Sequence, residues 1–203
     1  MTSARRQPLQ IRSNSTVQSI FDAASALLSR MTLDEITTSR IAAEAGISVG
    51  ALYRFFPDKQ AIVDAIAVRR VEEFRVELEA RMAEKEARNQ AMEPRGFLDF
   101  VIDSYVAFLD RHPDFRAISL GQHISTGTRQ KQAQPDIGPA ALVKQYTLDA
   151  LGLEVPPDLD LKLRVVTEVG DRLIAFAYQQ PTAEGQAAVI SEMKGLLGGY
   201  LFS

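Results

Sequence analysis

The stretch "TTSRIAAEAGISVGALYRFF", residues 37–56, decides the fold. A threonine at 37 or 38 can cap a short helix, because its hydroxyl accepts from backbone N–H groups that the first turn leaves unpaired. That helix is expected to stop at Gly46, where a left-handed backbone costs least. Ser48 can cap a second helix running to Phe56, before Pro57 and Asp58 break it and open another. Two short helices about a glycine-bearing turn form a helix-turn-helix, in which the first helix braces across phosphates and the start of the second enters the major groove. The composition suits that task. Ile47, Leu52 and Phe56 can turn inward, leaving Ser48, Val49, Gly50, Ala51, Tyr53 and Arg54 outside, with small residues at 49–51 that let the backbone approach base edges.

On either side of this stretch the periodicity is helical, and no segment alternates with period two for long enough to suggest a sheet. Val17, Ile20, Phe21, Ala24, Leu27 and Leu28 predict a first helix from about 13 to 30, preceded by a disordered or extended arm over 1–12. A long fourth helix runs from about 58 into "AEKEARNQ", and a fifth carries the stripe Phe97, Phe100, Val101, Ser104, Tyr105 and Phe108, closed by His112-Pro113. A short helix follows from about 114. "STGTRQKQAQPDIGP", 125–139, reads as a long surface loop, and three more helices are expected over about 138–152, 158–179 and 183–201. The fold class is therefore all-α: about nine helices, divided into a helix-turn-helix head over 1–60 and a helical bundle over 61–203.

Composition narrows the function. The 203 residues are 46% hydrophobic and 24% charged, an ordinary globular balance. There are no cysteines, which removes disulfides, thiolate metal sites and cysteine nucleophiles and makes a reducing cytoplasm the expected compartment. The N-terminus has arginines but no apolar run behind them, and no stretch approaches the roughly 18–20 apolar residues of a membrane span. Net charge is −3, yet residues 1–60 hold seven basic against five acidic side chains while the remainder holds sixteen against twenty-one. A weakly basic head on an acidic body concentrates positive potential at one end.

The resemblance that follows from the motif is to the tetracycline-repressor (TetR) family of bacterial regulators. Thr37, Ile41, Ala42, Ala45, Gly46, Ile47, Ser48, Gly50, Leu52, Tyr53, Phe56, Lys59 and Ile62 fall in the family's register without a gap. Two positions depart from it: Phe55 stands where His or Tyr is usual, and Arg30-Met31-Thr32-Leu33 replaces a glycine followed by an aromatic. The resemblance implies that Thr37, Arg40, Tyr53 and Lys59 touch phosphates, with Thr38 beside them, contacts that set register rather than sequence preference. It places base reading on Val49, Ala51 and Arg54, through thymine methyls for the first two and guanine for the third. Arg5, Arg6 and Arg12 are candidates for nearby backbone or minor-groove contact.

For the second domain the resemblance rests on helix number and order. It implies a homodimer formed by the last two long helices, for which Leu173, Ile174, Phe176, Ala177, Val189, Met193, Leu196, Leu197 and Tyr200 supply apolar surface. It implies an effector cavity with Phe100, Ser104, Tyr105, Phe108, Tyr146 and Arg172 as candidates. Plainer roles compete: packing for the aromatics, an Asp171 or Glu168 pair for Arg172, solvation for Arg54 and a core position for Tyr53. His112 and His123 have no ligand cluster around them, so no metal, cofactor or catalytic set is expected, and "GLLGGY" reads as helix-packing glycines. The expected function is a cytoplasmic, nucleoid-associated repressor that binds a palindromic double-stranded operator as a homodimer and is released by a small-molecule effector, with no membrane partner. The alternative is a helical small-molecule or protein-binding module that has lost specific DNA reading.

Overall fold

A computed structural model describes residues 6–88, 92–132, 138–151 and 157–202, and among these all regular structure is helical. Ten α-helices follow one another: α1 (Arg6–Leu28), α2 (Thr38–Glu44), α3 (Val49–Tyr53), α4 (Lys59–Ala87), α5 (Pro94–Arg111), α6 (Pro113–Leu120), α7 (Thr126–Gln132), α8 (Gly138–Leu151), α9 (Leu159–Tyr178) and α10 (Ala183–Leu201). A single 3-10 turn over Leu33–Glu35 lies between α1 and α2.

Several boundaries differ from the sequence reading. Helix α1 starts at Arg6, so the part of the expected arm that is described is helical, while Arg5 lies outside the described residues. Helix α3 ends at Tyr53 rather than Phe56, with Arg54 at its C-cap. The expected loop over 125–139 contains α7. Ser125 opens that helix, its hydroxyl accepting from the Thr128 N–H at 3.3 Å and its carbonyl from the Arg129 N–H at 2.9 Å.

The chain divides into two compact units, the first made of residues up to Ala67 together with Pro113–Ile124, the second of Val68–His112 and Ser125 onward. The first unit is thus larger than the expected 1–60 head, because α6 packs on α1. Ile20, Ile36, Ile41, Leu52, Ile62 and Ile66 are fully buried in it, joined from α6 by Phe115 and Ile118. Such apolar burial, about 25 cal/mol per Å² removed from water, is what holds helices as short as α2 and α3, which would not persist alone.

The second unit centres on the α9–α10 pair, with α5 against α8 and α10, and α8 against α9. Phe74 meets Tyr105 and Phe108 at ring separations of 5.1 and 5.4 Å, and Phe97 stacks on Tyr146 at 3.9 Å. Of the "GLLGGY" glycines, Gly198 alone meets the packing expectation: it is buried, and a β-carbon there would come within 3.2 Å of the Arg95 side chain. Gly195 and Gly199 face open space.

Candidate nucleic-acid interface

The head is built by a series of caps. The Thr37 hydroxyl accepts from the Arg40 N–H at 3.2 Å and starts α2; the Ser48 hydroxyl accepts from the Ala51 N–H at 3.1 Å and starts α3. Between them Gly46 adopts φ +67°, with its own N–H on the Ala43 carbonyl at 3.1 Å and the Ile47 N–H on the Ala42 carbonyl at 3.0 Å. That pair of bonds closes α2 in a left-handed cap, which glycine adopts without a steric penalty. The crossing of the two helices is then fixed by Leu52 and Ile41, both fully buried.

This leaves the recognition surface outside. Val49 is 37% exposed and Tyr53 50%. Thr37, Arg40, Ser48, Gly50 and Arg54 are exposed as well, while Thr38, Ala51 and Lys59 are half-buried. Ile47 and Phe56 are also only half-buried, Phe56 lying against Phe21 at a ring separation of 5.7 Å. A β-carbon on Gly50 would meet no atom within 4 Å, so nothing inside the protein demands glycine there.

The two helices are also tied across this face. The hydroxyls of Thr38 and Tyr53 share a hydrogen bond of 3.1 Å. Arg40 donates to the Glu35 carbonyl at 3.0 Å and runs past the Met31 sulfur, and Lys59 donates to the Leu33 carbonyl at 2.8 Å. Both cations therefore brace the 3-10 turn and keep further N–H groups for an outside acceptor. The turn is itself held by Glu35, which accepts from the Thr32 N–H at 2.9 Å and the Thr32 hydroxyl at 2.8 Å. Those bonds hold the Glu35 carboxyl below the usual carboxylate range. Thr32 and Glu35 were missed as positioning residues, although Thr-x-x-Glu is the spacing of a capping box. The side chains of Arg6 and Arg12 lie outside those described, as does Arg5.

The second unit holds the remaining candidates. Of the effector candidates, Phe108 and Ser104 are buried, Phe100, Tyr105 and Tyr146 half-buried, and Arg172 exposed. Arg172 points away because the inner face of α9 is made by Leu163, Val166, Gly170, Ile174 and Ala177. Tyr146 is a clasp, its hydroxyl donating to the Met92 carbonyl at 2.6 Å and accepting from the Met92 N–H at 3.1 Å. Among the dimer candidates Ile174, Ala177, Met193 and Leu197 are buried in the protomer's own core. Leu173 and Val189 are half-buried. Phe176, Leu196 and Tyr200 stay exposed, at 51%, 59% and 39%.

Among the described residues no group of three His, Asp or Glu side chains is placed to hold a metal ion, and no helix is long and apolar enough to cross a membrane. A helix-turn-helix with an outward-facing second helix, together with a second unit whose described regular structure is all helical, defines the class of DNA-binding regulators. Residues 20–66 match the model of the bacterial regulatory proteins of the tetR family, and residues 92–203 match that of the tetracyclin repressor-like C-terminal domain. The chain belongs to the TetR family of transcriptional regulators.

Solved structures agree on the fold. A TetR-family transcriptional regulator from Streptomyces coelicolor is 27% identical, with 92% of this chain and 98% of that one covered and a TM-score of 0.69. A TetR regulator from Rhodococcus sp. RHA1 is 20% identical over 92% and 97% of the two chains, TM-score 0.64. FadR of Thermus thermophilus, a repressor solved with lauroyl-CoA, is 19% identical over 89% and 92%, TM-score 0.63. No curated relative matches the chain at a significant level.

Proposed function

We propose that this chain is a repressor without catalytic activity, which works in the cytoplasm, binds a palindromic operator as a homodimer and releases it when a small-molecule effector is bound. The observation that carries this reading is the exposure of Val49 and Tyr53 on a helix whose Leu52 is fully buried. In this reading Thr37, Thr38, Arg40, Tyr53 and Lys59 hold phosphates, while Val49, Ala51 and Arg54 read bases with Ser48 and Gly50 at the groove floor. A dimer follows from the task, since two recognition helices about 34–36 Å apart double the contacts on a two-fold symmetric site. Phe176, Leu196 and Tyr200 are the residues that would meet a second copy. The effector would favour a dimer whose heads are off groove spacing, shifting the population away from DNA.

The test is a footprint of the full chain on DNA upstream of its own coding sequence, repeated over a range of salt. Protection of a symmetric site, lost with Tyr53→Ala, is expected. A chain that makes several phosphate contacts loses affinity steeply as salt rises, and Arg40→Ala should lower that slope by about one. A second reading, a helical binding module that no longer reads DNA, is favoured by the bonds that already engage Arg40 and Lys59 with main-chain carbonyls and by Phe55. It expects neither a footprint nor a salt slope.

A further inference from the structure

The basic side chains of α4 follow a pattern and then depart from it. Arg69 and Arg70 both pair with Glu73, at 2.8 and 2.6 Å, and Arg75 pairs with Glu72 at 2.6 Å and with Glu79. These are i,i+3 and i,i+4 pairs that neutralise each cation on its own helix. Arg81 and Lys85 stand four residues apart on the same helix, and neither meets a carboxylate among the described residues. The acids on this helix that stand at i−4 and i+3 to Arg81 are engaged elsewhere: Glu77 with Arg111 at 2.6 Å and Glu84 with Arg88 at 3.8 Å. Like charges at this spacing repel by a few tenths of a kcal/mol even on an exposed helix.

Both cations converge on one ring. The Arg81 guanidinium carbon lies 5.0 Å and the Lys85 Nζ 5.2 Å from the centre of Phe100. Arg81 is held there by its bond to the Ser104 hydroxyl at 2.8 Å, and that buried hydroxyl donates in turn to the Phe100 carbonyl at 2.6 Å. One guanidinium N–H is thereby used and the rest of its fork is left for another acceptor. The C-terminal end of α4 favours a cation at Lys85 in any case, but it does not account for Arg81. Both side chains are half-buried, where a charge interaction is screened less than at the surface.

We propose that Arg81 and Lys85 are the seat for the anionic group of the effector, a carboxylate or phosphate carrying an apolar moiety that lies against the half-buried Phe100. The inference rests on the reading of this chain as a ligand-responsive regulator and narrows it to a class of effector. Arg81 supplies directional N–H donors and Lys85 a point charge, while Ser104 positions Arg81 without touching the ligand.

The experiment titrates the DNA-free full chain with octanoate, octyl phosphate and 1-octanol by calorimetry. At least one of the anions binds and the neutral alcohol does not; which anion binds identifies the headgroup. Lys85→Gln removes no hydrogen bond of the fold and is expected to weaken anion binding about tenfold or more, with Arg81→Gln at least as severe. Unchanged helicity and melting of Lys85→Gln exclude a folding defect. Octanol bound as tightly as the anions, no anion bound at all, or an affinity indifferent to Lys85→Gln each overturns the proposal. A salt-dependent footprint without anion binding defeats this site and leaves the regulator standing, whereas Lys85-dependent anion binding without a footprint does the reverse.

Discussion

The hydroxyls of Thr38 and Tyr53 lie 3.1 Å apart, joining the first residue of one short helix to the last of the next. The bond is exposed, so its net worth to stability is small, about 0.5 kcal/mol. Its value for binding is different, because it fixes a phenol where a phosphate would accept its proton. Tyr53→Phe is therefore expected to shift the unfolding midpoint little while weakening operator binding about tenfold. Thr38→Ala should do the same to a smaller degree, and the double variant should be less than additive in binding free energy. Equal losses of stability and affinity would contradict this.

How much of this was legible beforehand depended on how local the cause was. Thr37, Gly46 and Ser48 act on backbone groups a few residues away, so the turn could be read from spacing alone. Arg172 could not. Its direction depends on which face of α9 the neighbouring helices cover, and that helix has apolar side chains on both faces, Ile174 inward and Phe176 outward. The same ambiguity hides that Met193 and Leu197 are buried within the protomer while Leu196 is exposed. Helix α7 is hard to read from sequence because it is polar and contains Gly127, so that only the cap at Ser125 marks its start.

Gln122, just past α6, adopts φ 58° in a left-handed cap built like that of Gly46, with its N–H on the Ser119 carbonyl at 3.3 Å and the His123 N–H on the Ile118 carbonyl at 3.0 Å. A side chain costs about 1–2 kcal/mol in that conformation, part of which glycine returns through its freer unfolded chain. Gln122→Gly is expected to stabilise the first unit by about 0.5–1 kcal/mol in denaturant titration. Gly46→Ala should destabilise it by a similar amount.

Burial pushes the Asp171 carboxyl up to about 6 from 3.8, with Arg129 opposing the rise and Glu168 adding to it. The folded chain therefore holds this proton more firmly than the unfolded chain. From pH 3.8 to about 6 the contribution of this group to stability falls as pH rises, and above 6 its full cost is present. Asp171→Asn should then stabilise the protein at pH 7 by about 1–2 kcal/mol, with the gain vanishing at low pH. Thermal melts at pH 4 and pH 7 measure the difference, and an equal effect at both would exclude a charged origin.

Leu196 is 59% exposed and Leu197 3%. Leu196→Asp is expected to turn a dimer into a monomer in sedimentation without loss of helicity, and to cut operator affinity with it. Leu197→Asp buries a charge and should unfold the second unit, at a cost of several kcal/mol. A Leu196→Asp protein that still sediments as a dimer would move the subunit contact away from the outer face of α10.

The reading head is not contiguous in the gene: its fabric closes only with residues 113–124, where Phe115 and Ile118 enter the core and the Gln60 side chain donates to the His123 carbonyl at 2.7 Å. A nascent chain leaving the ribosome has its helix-turn-helix segment, residues 37–56, synthesised well before the last wall of that domain exists. Chimaeras spliced at residue 67 would carry α1 without its α6, and a foreign segment supplied there would have to fit the same gap. Transplanting this domain intact thus calls for two exchanged segments, residues up to 67 and 113–124, where a single crossover would split it.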